Sequence, residues 1–137
     1  MAAGTLVDAN ILLDILTDDA TWRSWSAAAL ESAAEAGPLY INPIIYSEVS
    51  VRFSRVEDVD DALPTADFRR LQIPWPAAFL AAKAFVAYRH RGGARTSTLP
   101  DFFIGAHAAV SELHLLTRDV SRIRSYFPTV ALIAPAN

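Results

Sequence analysis

The chain contains 137 residues, of which 53% are hydrophobic and 20% charged, with no cysteine and a formal net charge of −3. This size and composition predict a domain with a real core and exclude a disordered protein, and the absence of cysteine excludes disulfides and thiolate metal sites. No apolar run approaches the roughly 20 residues that cross a bilayer, and the N-terminus lacks the basic start of an export signal. We therefore expect a cytoplasmic protein with no membrane segment, and the negative charge argues against a general nucleic-acid binder.

Short apolar runs alternate with helical patterns along the chain, which is typical of a parallel sheet covered on both faces. In chain order, the predicted elements are a strand at residues 5–8, helices at 10–18 and 21–36, a strand at 39–41, a helix at 43–54, a short helix and turn at 57–67, a strand at 71–73, helices at 77–91 and 100–112, a strand at 114–117, a helix at 119–126 and a strand at 130–133. The sequence therefore predicts one α/β domain over residues 1–137.

Two aspartates stand at the ends of predicted strands. Asp8 closes the first strand, and Asp119 follows the fourth in "HLLTRD". In open parallel sheets, sites form at the carboxyl ends of the strands, so these carboxylates converge if the two strands are neighbours. Each also has a simpler interpretation as the cap of the helix that follows it.

Two further acids lie in predicted helices. Glu48 lies beside an apolar stripe in "NPIIYSEVSVRF", and Asp101 stands in the first turn of the helix in "STLPDFFIGAHAAV". Glu48 could equally be an exposed helix acid, and Asp101 could simply complement the helix dipole. If all four acids meet, they repel one another and raise each other's pKa unless a cation lies among them. Mg²⁺ and Mn²⁺ prefer such oxygen ligands and support displacement at phosphorus.

The chain resembles PIN-domain ribonucleases, specifically the VapC-type toxins of type II toxin–antitoxin pairs. Four stretches, which together span nearly the whole chain, carry the resemblance: "LVDANILLDIL", "NPIIYSEVSVRF", "LPDFFIGAHAAV" and "HLLTRDVSRIRSYFPTVALIAP". Four acids occur in the same order within matching contexts, whereas a D-x-N motif alone would be a weak signal. One departure is Ala9, where the family often has a small hydroxyl residue. Residues 55–95 carry no family motif, so the choice of RNA does not transfer.

The resemblance implies a single PIN domain over residues 1–137, with a three-layer α/β/α fold and a mainly five-stranded parallel sheet. It implies a Mg²⁺-dependent endoribonuclease, Mn²⁺ also being suitable, that cleaves single-stranded or loop RNA. It further implies a homodimer, a higher assembly with a small VapB-like antitoxin, and inhibition by the antitoxin's C-terminal segment. The matching acidic residues are Asp8, Glu48, Asp101 and Asp119, and the matching supporting positions are Asn10 and Thr117.

From these residues we hypothesise that Asp8, Asp101 and Asp119 bind the metal and that Glu48 orients the attacking water. Asn10 and Thr117 would hold the metal-binding carboxylates by hydrogen bonds. A second Asp two residues after the first would favour haloacid-dehalogenase-type phosphatase chemistry, but Asn10 occupies that position. The three histidines are expected to be structural.

Basic residues are the candidate RNA contacts, because a phosphate substrate must approach an acidic site; they are Arg89, Arg91, Arg95, Arg118 and Arg122. Arg118 and Arg122 could instead pair with nearby acids. Asp14 is expected to be a surface acid, with membership of the acidic cluster as the alternative. Trp22 and Trp25 are expected to anchor packing, with an antitoxin or dimer interface as the alternative.

Two other functions remain compatible with this sequence. One is a DNA- or structure-specific nuclease that uses the same metal chemistry. The other is a catalytically inactive PIN-like domain that binds RNA or a partner, which the complete set of acids disfavours.

Overall fold

The structure is a computed structural model that describes residues 4–95 and 99–136. Five strands lie at β1 (Thr5–Val7), β2 (Leu39–Ile41), β3 (Phe68–Arg70), β4 (His114–Leu116) and β5 (Leu132–Ile133). Seven helices lie at α1 (Ala9–Leu16), α2 (Arg23–Ala36), α3 (Pro43–Ser50), α4 (Val56–Ala62), α5 (Trp75–His90), α6 (Pro100–Val110) and α7 (Ser121–Tyr126). Of the predicted loop over residues 92–99, residues 96–98 lie outside the described ranges. No helix within these ranges is long and apolar enough to cross a membrane.

The strands form one parallel sheet in the order β3-β2-β1-β4-β5, with β1 at its centre. Thr5 pairs with Leu39 of β2 on one side and with His114 of β4 on the other. The predicted order of elements and the three-layer α/β/α class are confirmed. Because β1 and β4 are neighbours, the residues that follow them meet at one edge of the sheet.

The third strand is three residues earlier than predicted, at Phe68–Arg70 and not at residues 71–73. Phe68 is buried and anchors the strand, whereas the two arginines after it are exposed. β3 is an edge strand, so half of its surface remains in water and arginine is tolerated there. The apolar run at residues 71–73, where a strand was predicted, follows β3. It extends the pairing with β2 through the Leu71 N–H, which donates to the Ile41 carbonyl at 2.9 Å.

Helix α6 runs through the core and carries Asp101 in its first turn. It packs closely against α7 at Gly105, where an added Cβ would collide with the ring of Phe127 and the side chain of Ile123. The close approach therefore requires glycine and fixes how α6 lies beside α7.

A buried polar contact joins the end of β2 to α6. Asn42 caps α3, accepting the Ile45 N–H at 2.9 Å, and Pro43 begins that helix, as the sequence predicts. The Asn42 amide also bonds to Nδ1 of His107 at 3.0 Å. His107 is 1% exposed, and burial lowers its pKa. A neutral, structural histidine results, as expected from the sequence.

Candidate active site

The carboxylate of Asp8 has two different roles in the structure. Its Oδ1 caps helix α1, accepting the Ala9 N–H at 2.7 Å. Its Oδ2 accepts the Thr117 hydroxyl at 2.8 Å, and the Asp8 backbone N–H donates to the Leu116 carbonyl at 2.9 Å. Asp8 is therefore a helix cap and, at the same time, a carboxylate held against the end of β4.

Asn10 and Thr117 connect the two strand ends around Asp8. The Asn10 amide donates to Thr117 Oγ1 at 3.1 Å and reaches Asp8 Oδ2 at 3.5 Å. Thr117 Oγ1 also accepts the Asp119 N–H at 3.1 Å, and Asn10 Oδ1 accepts the Arg118 N–H at 3.2 Å. Thr117, at the centre of this network, is fully buried, whereas Asp8 and Asn10 reach the surface of the cleft.

The four predicted acids line a single open cleft of about 430 Å³. Asp8 and Asp119 lie at the ends of β1 and β4, Glu48 projects from α3, and Asp101 from the first turn of α6. The remaining lining residues are Ala9, Asn10, Leu13, Val51 and Arg52. A larger cavity of about 590 Å³ lies elsewhere in the described residues, and none of these four acids lines it. Four separate elements thus bring the predicted acids to one place.

Burial and mutual repulsion shift the pKa values of two of these acids. Burial, reinforced by the charges of Asp101 and Asp119, raises the pKa of Asp8 to about 6 despite the hydrogen bond from Thr117. Burial and the charges of Asp8 and Asp101 raise the pKa of Glu48 to about 7. Within the described residues, Glu48 Oε1 is buried and has no hydrogen-bond partner. A buried oxygen of this kind is costly unless something binds it.

In residues 4–95 and 99–136, no three Asp, Glu or His side chains are already arranged to hold a metal ion. The donors themselves fit a hard divalent cation, because they are carboxylates that repel one another and include an unpartnered buried oxygen. Arg122 on α7 bonds to Oδ2 of the cleft residue Asp101 at 3.1 Å, which compensates part of the negative charge.

Asp14 is buried, contrary to the expected surface position. It is 3% exposed and accepts two hydrogen bonds from the Arg118 guanidinium and one from the Ser26 hydroxyl. The prediction of a surface acid was wrong because the partners of Asp14 lie 12 and 104 residues away in the chain. Arg118 is thus paired with an acid, which was the alternative to a role in RNA binding.

Of the other candidate RNA contacts, Arg122 lies on α7, and Arg89, Arg91 and Arg95 are exposed at the end of α5 and in the segment after it. Arg89 donates to the Arg95 carbonyl at 2.7 Å, and the Arg91 guanidinium lies 4.8 Å from the centroid of the Tyr126 ring. Trp25 packs against the core, and Trp22 contacts it edge-on with 6.4 Å between the ring centroids. The packing role expected for the two tryptophans matches these contacts.

Arg52 is a cleft residue that the sequence interpretation missed. It lines the cleft next to Val51, it is exposed, and no carboxylate within the described ranges forms an ion pair with it. The signal was its position four residues after Glu48, because residues so spaced share a helix face. The turn that follows α3 keeps this spacing, with the Arg52 N–H donating to the Val49 carbonyl at 3.1 Å.

Comparison with solved structures gives the same fold in several toxin–antitoxin complexes. One is VapBC2 from Rickettsia felis bound to a promoter DNA fragment, at 14% identity and a TM-score of 0.73, with 97% of this chain and 99% of that chain covered. VapBC-1 from nontypeable Haemophilus influenzae matches at 16% identity and 0.72, covering 96% and 97%. A toxin–antitoxin complex from Klebsiella pneumoniae matches at 24% identity and 0.70, covering 97% and 98%. At such identities the similarity shows the fold alone.

A sequence model of the PIN domain matches residues 5–125. No curated protein matches the chain. Since the PIN match covers most of the chain, the protein belongs to the PIN domain family, whose members are generally nucleases. The resemblance inferred from the four sequence stretches is confirmed at this level.

Proposed function

We propose that this chain is a Mg²⁺-dependent endoribonuclease, Mn²⁺ being a suitable substitute, that hydrolyses phosphodiester bonds in single-stranded or loop RNA. The observation that carries this proposal is the meeting of four acids from four elements in one cleft, with raised pKa values and an unpartnered Glu48 oxygen. Bringing acids together costs free energy because their charges repel, and a bound cation removes that cost.

Asp8, Asp101 and Asp119 are the residues that would hold the ion. Hydrogen bonds from the Ala9 N–H and the Thr117 hydroxyl hold the Asp8 carboxylate in position before an ion binds. The backbone of Asp119 is held by the hydrogen bond from its N–H to Thr117. When bound, the ion would supply positive charge that activates water and stabilises the charge developing on the phosphate. Asn10 and Thr117 would keep the carboxylates in the orientation that binding requires.

Glu48 is suited to orient the attacking water and accept its proton. The free Oε1 offers a hydrogen-bond acceptor that no described protein group uses. A pKa near 7 leaves the group able to exchange a proton near neutral pH, which is where a general base is most effective.

Basic residues around the cleft would contact the RNA backbone. Arg52 lines the cleft itself, and Arg122 lies beside Asp101. Arg89, Arg91 and Arg95 are exposed and would provide further contacts with the RNA backbone. Contacts of this kind bring phosphate to an acidic centre without selecting a sequence.

The biological role we propose is that of the toxin in a toxin–antitoxin pair. The fold shared with chains of VapBC complexes supports this role and supports a small antitoxin as partner. We further propose a single PIN domain over residues 1–137, a homodimer, a higher assembly with the antitoxin, and a cytoplasmic location. Growth arrest on expression, relieved by co-expression of a small neighbouring open reading frame, is the expected outcome.

Matched RNA and DNA oligonucleotides of the same sequence would test the chemistry. We expect RNA cleavage in Mg²⁺, none in excess EDTA, and loss of cleavage in Asp8→Asn. Asp61→Asn, a change at an exposed acid on α4, is the matched control and should cleave as the wild type does. Preferential DNA cleavage would favour the DNA nuclease, and RNA binding without cleavage would favour the inactive domain.

A further inference from the structure

We propose that Asp14, Ser26, Arg118 and Trp22 form a positioning device, here called the Asp14–Arg118 clamp, which holds the metal-binding carboxylate of Asp119 in place. This inference rests on the proposed function, since it gives the clamp a role in metal binding. None of the four side chains lines the acidic cleft, so the clamp would act through the backbone next to Asp119.

The clamp satisfies its buried carboxylate completely. Arg118 Nε donates to Asp14 Oδ2 at 2.6 Å and Nη2 donates to Oδ1 at 2.9 Å, a two-bond fork that only arginine can form. The Ser26 hydroxyl donates to Oδ2 at 2.6 Å. The other side of the guanidinium lies over the Trp22 ring, 4.9 Å from its centroid. Both oxygens of Asp14 and one face of the guanidinium are therefore occupied.

The clamp joins elements that are distant in the chain. Asp14 lies on α1, Ser26 on α2, and Trp22 is the N-cap of α2, while Arg118 lies in the loop between β4 and α7. Buried ion pairs add little net stability compared with apolar residues of similar size, but they specify one geometry. The geometry specified here is the position of the loop relative to α1 and α2.

The loop between β4 and α7 carries the site residue Asp119 and has no regular structure. Its position must therefore be held by other contacts. Asp119 is exposed and lies between β4 and α7, outside both elements. Its backbone is held by the bond from its own N–H to Thr117 and by the bond from the Arg118 N–H to Asn10. The Arg118 side chain adds the third anchor, joining the loop to Asp14 on α1. These three contacts together fix the backbone next to Asp119, which lines the same cleft as Asp8.

A direct role of Arg118 in RNA binding would compete with this arrangement. Donation from Nε and Nη2 to a phosphate would require these atoms to leave Asp14, which would then be a buried charge without a counter-ion. Removing Asp14 separates the two possibilities. It would release Arg118 for RNA in one case and would loosen Asp119 in the other.

Mg²⁺ titration of the metal-free full-length protein by calorimetry tests the proposal without relying on activity. We expect Arg118→Lys, Arg118→Ala and Asp14→Asn each to weaken Mg²⁺ binding by about tenfold or more, as loss of ligand support does. The double variant Asp14→Asn/Arg118→Ala should be no worse than either single change, because both changes break the same contact. Arg70→Ala, which breaks the exposed pair with Asp60, is the control and should bind Mg²⁺ normally.

Kinetics at two Mg²⁺ concentrations provide the second readout. At low Mg²⁺ the clamp variants should lose kcat, with the KM for RNA within about twofold of wild type, and excess Mg²⁺ should restore the rate. Arg118→Lys retains the charge and serves as the variant least disruptive to folding, checked by its Tm.

Unchanged Mg²⁺ affinity in folded Arg118→Lys and Asp14→Asn would overturn the clamp while leaving the proposed function intact. A raised KM in Arg118→Ala with normal Asp14→Asn would also overturn it, in favour of an RNA contact. A wild-type chain that binds no Mg²⁺ would overturn the proposed function and, with it, the role of the clamp.

Discussion

Asp8 caps the start of α1, and Asp14 lies on the same helix six residues later, yet the surroundings of the two carboxylates are opposite. Asp14 is surrounded by an arginine and a serine that together occupy both of its oxygens. Asp8 faces other acids, and burial among them raises its pKa to about 6. The chain therefore has the means to neutralise a buried acid close to the cleft but does not use them at Asp8. The difference supports the proposal that the unpaired charge of Asp8 belongs to a binding site.

Removing the two carboxylates should have opposite effects on the metal-free protein. Asp14→Ala leaves Arg118 and Ser26 without their partner and should lower the free energy of unfolding by about 3 kcal/mol. Asp8→Asn removes repulsion and should leave this free energy unchanged or raise it. Urea unfolding in EDTA measures both. Equal destabilisation of the two variants would contradict the comparison, since Asp8 would then be paired as Asp14 is.

Glu48→Gln should separate chemistry from binding within the cleft. The amide keeps the size of the side chain but cannot accept a proton from water, so kcat should fall by about 100-fold or more, the scale of general-base catalysis. Mg²⁺ affinity should change by less than about threefold, because the ion is assigned to the three aspartates. Single-turnover cleavage and calorimetry give the two numbers. A large loss of Mg²⁺ affinity with a modest loss of rate would make Glu48 a metal ligand.

The pH dependence of stability sharpens the comparison further. The pKa values of Asp8 and Glu48 are raised in the folded state, to about 6 and about 7, so the folded protein binds protons more tightly than the unfolded chain. Stability of the metal-free protein should therefore decrease as the pH rises from about 4 to about 8, by up to about 6 kcal/mol for the two acids together before solvent screening, and change little above that range.

Unfolding in EDTA at pH 5, 6, 7 and 8 measures this decrease, and the double variant Asp8→Asn/Glu48→Gln is the control that should lack it. Mg²⁺ should reduce the decrease in the wild type, because the ion favours the ionised acids. If the wild-type and control profiles coincide, the pKa values of Asp8 and Glu48 are not raised in the folded state.

The sequence predicts those features of the fold and site that depend on residues close together along the chain, and it misses those that depend on residues far apart. Asn42-Pro43 begins a helix through its own local geometry, and the strand ends at Asp8 and Asp119 follow from apolar runs and parallel topology. Both features are visible in short windows of sequence. The position of β3 was predicted three residues too late. An edge strand tolerates two arginines, so the apolar pattern of residues 68–70 is weaker than that of residues 71–73.

The clamp was missed for a different reason. Asp14 and Arg118 are separated by 104 positions, and nothing near either residue indicates that they pair. A lone acid in a helical segment is usually solvated, so the surface position was the better prediction from local information. Arg52, in contrast, could have been found, since its four-residue spacing from Glu48 is a local signal.

The contact between Asp8 Oδ1 and the Ala9 N–H has a consequence for the entropy of metal binding. A carboxylate on a free side chain must lose rotational freedom when it binds an ion, which weakens the binding. In this protein the Asp8 carboxylate loses that freedom earlier, when the first turn of α1 forms around it. The ligand is then ordered before any ion binds, and its release would require both fraying of that turn and loss of the hydrogen bond from Thr117.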